Sequence, residues 1–312
     1  MAQRILVTGG CGFIGANLVP RLADAGYEVL VLDDLRTGNP DYLSAVRAEI
    51  LEGDINDGQA LRKAVDGAST VVHLAAAGSV VDSVADPADN FRANAVGTFS
   101  VLEAARAADV RRFVFSSTGG ALIGNAIPPV NEASLPKPIS PYGASKLAAE
   151  AYCHAYAKAF GLHTVATRFA NVFGPFSGHK KGAITAFFRA IHDGNPIAIY
   201  GDGLASRDFM YVDDICAGIE LALAADVVPG SVYHLATGVE TTVNELADAC
   251  RRVAGKPKHP IEHRPARPGE VERNFATFDL AKQELGFQPA VSLEDGLSRT
   301  WTWYRDHVFG DR

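Results

Sequence analysis

An α/β fold is what this sequence of 312 residues predicts: a doubly wound parallel sheet carrying a smaller second domain. Two observations lead there. Short β-branched runs alternate with helix-period segments through the first half, and several runs are apolar on both faces, as strands covered by helices on each side must be. After about residue 174 the rhythm shifts to turn-rich and Pro/Arg-rich stretches, the mark of a loop-rich unit that caps the sheet.

Taken in order, RILVTGG, EVLVLDD, AEILEGDI, TVVHLAA, RRFVFSST and HTVATRFANVFG read as strands. Between them FIGANLVPRLADAG, DGQALRKAVDG, DPADNFRANAVGTFSVLEAARAAD and SPYGASKLAAEAYCHAYAKAFG carry helical spacing. Further on, the Gly/Lys loop FSGHKKGA precedes a helix, and YGDGLASRD and EHRPARPGEVERN read as loops. The segment RDFMYVDDICAGIELALAAD again reads as strand then helix and rejoins the first unit. The expected domains are therefore residues 1–174 with about 205–238, and about 175–204 with 239–312.

Composition excludes several classes. A chain that is 47% hydrophobic can fill a core, and a net charge of −7 opposes a nucleic-acid or anionic-membrane partner, which needs a basic stripe. The start, MAQRILVTGG, has no secretory pattern, and no apolar stretch reaches membrane-spanning length. Cys11, Cys153, Cys216 and Cys250 are scattered without C-x-x-C spacing, and the nine histidines show no ligand spacing, so no metal is expected. The reading is a soluble, cytoplasmic protein.

VTGGCGFIG puts Gly9, Gly12 and Gly15 between the first strand and a helix. Glycines there permit a tight turn and a close approach to a pyrophosphate, which the helix N-terminus stabilises. Asp33 closes the second strand about twenty residues on, where a carboxylate accepts the ribose hydroxyls of NAD and repels a 2′-phosphate. Arg36 is the neighbour that pulls toward NADP. Asp54, with Ile55 in GDI, either reads an adenine edge or caps the helix of NDGQALRK.

In SPYGASK, Tyr142 and Lys146 are four residues apart and share a helical face. A free phenol has a pKa of about 10 and is a poor base at neutral pH, but a close ammonium and a cationic nicotinamide both favour the phenolate. Thr118 ends the strand RRFVFSST, at the carboxyl edge where open α/β sheets bind ligands, and its hydroxyl can share a proton with Tyr142. Separately, the pair also reads as surface packing and the Ser/Thr cluster as a cap.

With TGGCGFIG, HLAA, NAVGT, FSST, SPYGASK, RFANVFGP, YGDG, RDFMYVDD and RPGEVERNFA in order, the chain resembles the extended short-chain dehydrogenase/reductase family over nearly its whole length. Within it, the chain is similar to the nucleotide-sugar 4-epimerases. The resemblance implies a Rossmann-type sheet with a discontinuous substrate-binding domain, and a catalytic triad of Thr118, Tyr142 and Lys146. It implies NAD contacts from Gly9, Gly12, Phe13, Ile14, Gly15, Asp33, Asp34, Leu35, Thr37, Gly38, Asp54 and Ile55. Leu74, Ala75, Ala76, Asn94, Ser116, Phe169 and Val172 complete that set with Tyr142 and Lys146.

For a UDP-sugar the resemblance implies Arg207 and Arg267 on the diphosphate, Glu270 on the uridine ribose and Asn171 near the sugar, with Ser79, Ala183, Ile184 and Tyr200 in the lining. Arg207 and Arg267 read equally as partners of Asp208 and Glu272. Ser79 and Ser83 either bind sugar hydroxyls or make loop hydrogen bonds. His179, Lys180 and Lys181 form either a solvated face or a cation for a sugar carboxylate. A homodimer on the helices near residues 90–108 and 142–160 is also implied.

Two departures from the family pattern matter. Ile123 stands where a tyrosine is common, so a tyrosine contact to sugar or cofactor is missing. Gly119 and Gly120 stand where related dehydratases carry Asp-Glu, and without a spare carboxylate a second proton transfer has no carrier. The expected reaction is 4-epimerisation of UDP-glucose/UDP-galactose or UDP-glucuronate/UDP-galacturonate through a transient 4-keto sugar. The rivals are a 4-keto-sugar reductase on the same scaffold and a non-catalytic NAD-sensing module, which the intact triad opposes.

Overall fold

The computed structural model describes residues 3–266 and 272–310. The chain runs β1 (Arg4–Thr8), α1 (Phe13–Asp24), β2 (Glu28–Asp33), β3 (Ala48–Glu52), α2 (Gly58–Val65) and β4 (Thr70–His73). It continues through α3 (Val80–Ala85), α4 (Pro87–Phe91), α5 (Gly97–Ala107), β5 (Arg112–Thr118), α6 (Gly120–Ile123), α7 (Pro141–Phe160) and β6 (His163–Phe169). Then come β7 (Asn171–Phe173), α8 (Ala183–Asp193), β8 (Ile197–Tyr200), β9 (Ser206–Arg207), β10 (Phe209–Tyr211) and α9 (Val212–Ala224). The last elements are β11 (Ser231–Leu235), β12 (Thr241–Thr242), α10 (Val243–Val253), β13 (Ile261–Arg264), β14 (Arg273–Asn274), α11 (Asp279–Leu285) and α12 (Leu293–Tyr304).

Seven strands form one sheet in the order β11-β6-β5-β4-β1-β2-β3, every neighbouring pair parallel. The order reverses between β1 and β4, and a doubly wound sheet opens a ligand crevice at the carboxyl edge of such a reversal. Thr8 pairs with His73 at that edge. Side chains alternate between the two faces, as the strand period requires. Leu6, Leu30, Val71, Phe113 and Phe115 pack in one apolar cluster with Leu61, Leu102 and Ala149 of α2, α5 and α7. Ile5, Val7, Val31, Val72 and Val114 pack in the other with Leu18 of α1 and Ile215 and Ile219 of α9.

The expectation that the strands are covered on both faces fails at β3. It is the outer edge strand, with Glu49, Ile50 and Glu52 exposed, because only β2 lies beside it. The sheet also gains a strand the sequence did not reveal: β11, whose SVYHL lacks a clean apolar run.

The remaining strands are short and pair over long sequence distances. β7 lies beside β10, β8 beside β13, and β9 between β12 and β14. Helix α9 returns to the main sheet, tied to α1 by the two-point pair Arg21–Glu220 at 2.8 and 2.6 Å. The cluster on that face runs on from the sheet into Phe188, Ile197, Leu246 and Trp301, so the capping layer shares the sheet's core.

Candidate active site

The glycine loop is set by close backbone contacts. Gly9 has φ +71°, and a Cβ on it would lie 2.6 Å from the amide nitrogen of Ala75. A Cβ on Gly15 would lie 2.4 Å from the carbonyl of Gly10. Gly12 begins α1 with extended backbone and no side-chain cap, so the first-turn N–H groups around Phe13 and Ile14 are open to an anion. These features fit a dinucleotide pyrophosphate.

Asp33 is buried at the end of β2 and accepts the N–H groups of Cys11 and Leu35, each at 2.9 Å. Burial pushes its pKa up, while those two N–H groups pull it back. Gly38 passes so near that a Cβ there would sit 2.7 Å from Asp33 Oδ1, which puts the Leu35–Gly38 turn, with Thr37, around the carboxylate. Arg36 pairs with Asp34 at 3.4 Å and Asp89 at 3.1 Å, so its charge is taken up by two carboxylates, as suits NAD better than NADP.

Asp54 does not cap α2; Asp57 does, accepting the N–H of Gln59. Asp54 instead binds the backbone and side chain of Asn56 and pairs with Arg92 at 3.3 Å. Ile55 is buried against Gly97.

Behind the crevice runs a buried polar chain that the sequence reading did not foresee. The hydroxyl of Thr98 donates to the carbonyl of Asn94 at 2.6 Å, so its oxygen accepts from His73 Nε2 at 3.0 Å. Nδ1 of His73 is left to accept from Thr8 Oγ1 at 2.6 Å, and that oxygen in turn takes the N–H of Ala75 at 3.4 Å. Burial, helped by the charge of Lys146, holds the His73 pKa down at about 3, so the ring is neutral as this chain requires. Asn94 also binds Ala77 N–H at 2.8 Å and Ser145 Oγ at 3.0 Å, linking the loop after Leu74, Ala75 and Ala76 to α7.

Helix α7 begins at Ser140, whose hydroxyl accepts Gly143 N–H at 3.1 Å, with Pro141 in the first turn. Gly143 is required there, because a Cβ would meet the carbonyl of Ala121 at 2.0 Å. This seats Tyr142 against the end of β5, where its hydroxyl shares a hydrogen bond with Thr118. Tyr142 N–H donates to Ser83 Oγ at 3.2 Å. Lys146 is buried; Nζ donates to the carbonyl of Ser116 at 2.8 Å and lies 4.8 Å above the Phe115 ring.

The electrostatics correct one expectation. Burial raises the Tyr142 pKa to about 12, offset only in part by Thr118, and Lys146 is not among the groups that lower it. The ammonium is turned to Ser116 instead. Burial lowers the Lys146 pKa to about 8, with Cys153 and Glu150 acting in the opposite direction. Burial thus favours the protonated phenol.

One turn beyond Lys146, Glu150 forms a buried pair with Arg168 at 3.0 and 2.8 Å and accepts Ser117 Oγ at 2.5 Å. This pair locks α7 to β5 and β6. No local spacing signals it, because Glu150 and Arg168 lie 18 residues apart on different elements.

On the sugar side, the structure divides the candidates. Ser79 caps α3 by accepting Asp82 N–H at 3.1 Å, and Ser83, inside α3 and not in a loop, donates to the carbonyl of Val80 at 2.6 Å and accepts Tyr142 N–H. Asn171 is exposed in β7, just beyond the buried Phe169, and Val172 offers its carbonyl to Lys180 at 3.2 Å. Ala183 and Ile184 open α8, and Tyr200 ends β8 bonded to Arg264. Arg207 Nη1 donates to the carbonyl of Ser206 at 2.7 Å, while Asp208 is engaged by Thr237 and Gly238. Lys181 pairs with Asp82 at 3.2 Å on the surface. Arg267 and Glu270 lie outside the described residues.

Both departures are explained by packing. Ile123 is buried with Leu122, Val130 and Ala276, so it fills core and does not face the site. A Cβ on Gly119 would meet His234 Nδ1 at 3.0 Å, and one on Gly120 would meet Asn274 Nδ2 at 2.4 Å. Among the described residues no group of acidic, histidine or cysteine side chains is arranged to hold a metal, and none of their helices is long and apolar enough to cross a membrane.

Comparison with known proteins agrees with this geometry. The chain is 36% identical over 316 residues to a UDP-glucose 4-epimerase of Mycolicibacterium smegmatis, covering 97% of this chain and 99% of that one. It is equally 36% identical over 318 residues to a dTDP-glucose 4,6-dehydratase of Streptomyces niveus, covering 98% and 94%. The crystal structure of a Thermotoga maritima UDP-glucose 4-epimerase with UDP-glucose superposes with a TM-score of 0.93 at 36% identity, covering 97% of this chain and 99% of that one. Residues 5–236 match the NAD dependent epimerase/dehydratase family, and the chain belongs to that family of NAD-dependent, extended short-chain dehydrogenase/reductase enzymes.

Proposed function

We propose that the protein inverts C4 of a UDP-hexose, either the glucose/galactose or the glucuronate/galacturonate pair, through a transient 4-keto sugar. The observation that carries this reading is the space beside Thr118. A dehydratase needs a carboxylic side chain just after its hydroxyl residue, but here Gly119 and Gly120 carry none, and a Cβ at either would crowd His234 or Asn274. With one acid/base group at the edge, the chemistry reduces to removing and returning a single proton.

When bound, NAD supplies the hydride acceptor and donor at the sugar carbon and a cationic ring that favours the phenolate. Tyr142 takes the 4-hydroxyl proton, and Thr118, already bonded to the phenol, shares it. Lys146, fixed by Ser116 and Phe115, would hold the nicotinamide ribose. After the ketone presents its other face, Tyr142 returns the proton.

The capping residues, about 175–204 and 239–312, would form the nucleotide-sugar side, with Asn171, Arg207, Arg267 and Glu270 on the nucleotide diphosphate and ribose. A homodimer through the helices near residues 90–108 and 142–160 is part of the proposal: Phe91, Val96, Phe99, Tyr152 and Phe160 are exposed apolar side chains there.

Purified protein incubated separately with UDP-glucose, UDP-N-acetylglucosamine and UDP-glucuronate should convert one of them to its 4-epimer, with no net change in absorbance at about 340 nm. Loss of water from dTDP-glucose, with no epimer from any UDP-sugar, would overturn the reading.

A further inference from the structure

We propose that three rings, Tyr42, Phe176 and Trp303, act as a clamp that slows NAD release, and that Phe176 is its central positioning residue. The inference rests on the NAD site and not on the choice of sugar.

The ribose wall is a turn tied to Asp33, to the glycine loop and, through the buried Leu43, to the core. Asn39 N–H donates to the carbonyl of Cys11 in the glycine loop at 2.9 Å, and the helical turn Pro40–Leu43 follows. Tyr42 projects from that turn onto Phe176, ring centroids 4.6 Å apart, and toward Trp303 of α12 at 6.5 Å. Phe176 and Trp303 close the triangle at 5.1 Å. Edge-on and tilted contacts of this kind are favourable aromatic geometries.

Phe176 is held where a side chain would not settle by itself. Its φ is +67°, in the left-handed region that a bulky residue occupies only when its surroundings compel it. The surroundings are explicit. Asn17 of α1 donates to the carbonyl of Pro175 at 3.3 Å, and Ser177 bonds Gly174 at 2.6 Å and the hydroxyl of Tyr304 at 2.8 Å. Lys180 reaches back over the Phe13 ring at 5.0 Å.

The loop after β7 therefore grips three things: the pyrophosphate end of α1, the C-terminal helix and, through Phe176, the ribose turn. Swinging that turn away from Asp33 and Gly38 means pulling Tyr42 off two rings. An enzyme whose cofactor is reduced and reoxidised within each turnover gains from such slow release.

The test uses the holoenzyme loaded with isotopically labelled NAD and chased with excess unlabelled NAD. Phe176→Gly is the informative variant, since glycine accepts φ +67° without strain and only the ring is lost. Label release should accelerate at least tenfold in Phe176→Gly and Tyr42→Ala and stay near wild type in Tyr42→Phe. Turnover of each variant at saturating NAD should match wild type, which separates retention from chemistry. A wild-type release rate in a folded Phe176→Gly protein would overturn the clamp, and so would slowed turnover that saturating NAD does not restore. A wild-type protein that binds no label would instead sink the cofactor site itself.

Discussion

The cofactor edge and the sugar edge of this molecule are built by opposite means. At the cofactor edge, strands of four to seven residues deliver Thr8, Asp33, His73 and Thr118 side by side on adjacent strands of one sheet. At the sugar edge, Arg207 sits on a two-residue strand whose neighbours, Thr241 and Asn274, come from 34 and 67 positions further along. The contrast is one of anchoring: Thr118 stands on a deeply buried sheet, whereas Arg207 stands on short pieces paired over long sequence distances.

The largest effect should come at the anchored edge. Tyr142→Phe keeps the ring but removes the acid/base group, so turnover should drop roughly 10²–10⁴-fold while bound NAD is unchanged. Activity close to wild type would move the base elsewhere and erase the contrast.

Arg168→Met should be nearly as costly, but in stability. It strands the buried Glu150 carboxylate, at an expected cost of about 3–5 kcal/mol in urea unfolding. Adding Glu150→Leu should recover much of the loss; if it does not, the pair is more than a lock.

At the sugar edge, Arg207→Ala should leave the melting point nearly unchanged and raise KM for the nucleotide sugar. Losing one charge-assisted contact of about 1.5–3 kcal/mol corresponds to a tenfold to hundredfold rise. A large fall in stability would show that this edge is as structural as the other.

The smallest effect per step is a response to acid. His73 and His234 are each held down to about 3 by burial, against an ordinary value of 6.5. Between those values the unfolded chain binds protons that the folded one refuses, so this contribution is full above pH 6.5 and is lost as pH falls toward 3. The slope is roughly 1.4 kcal/mol per pH unit for each histidine. His73→Asn should flatten the profile; an unchanged slope would mean that His73 is charged in the fold.

The glycine loop, Asp33 and the Tyr142–Lys146 pair were legible because each depends on residue types at local spacings: positive φ, a strand end, a helical turn. The cap of α2 went to Asp57 and not Asp54, since a shift of three residues is invisible to composition. Glu150, Arg168 and His234 were not legible as a group, because α7, β6 and β11 meet only when the sheet closes.

The sequence by itself determined the alternation of strand and helix, the glycine loop at the start of α1 and the four-residue spacing of Tyr142 and Lys146, because these follow from nearest-neighbour sterics and periodicity. Only the tertiary structure decided that Lys146 faces Ser116, that the phenol is pushed to about 12, and that His234 and Asn274 crowd Gly119 and Gly120. Those outcomes depend on burial and on contacts between segments tens of residues apart, which no local pattern encodes.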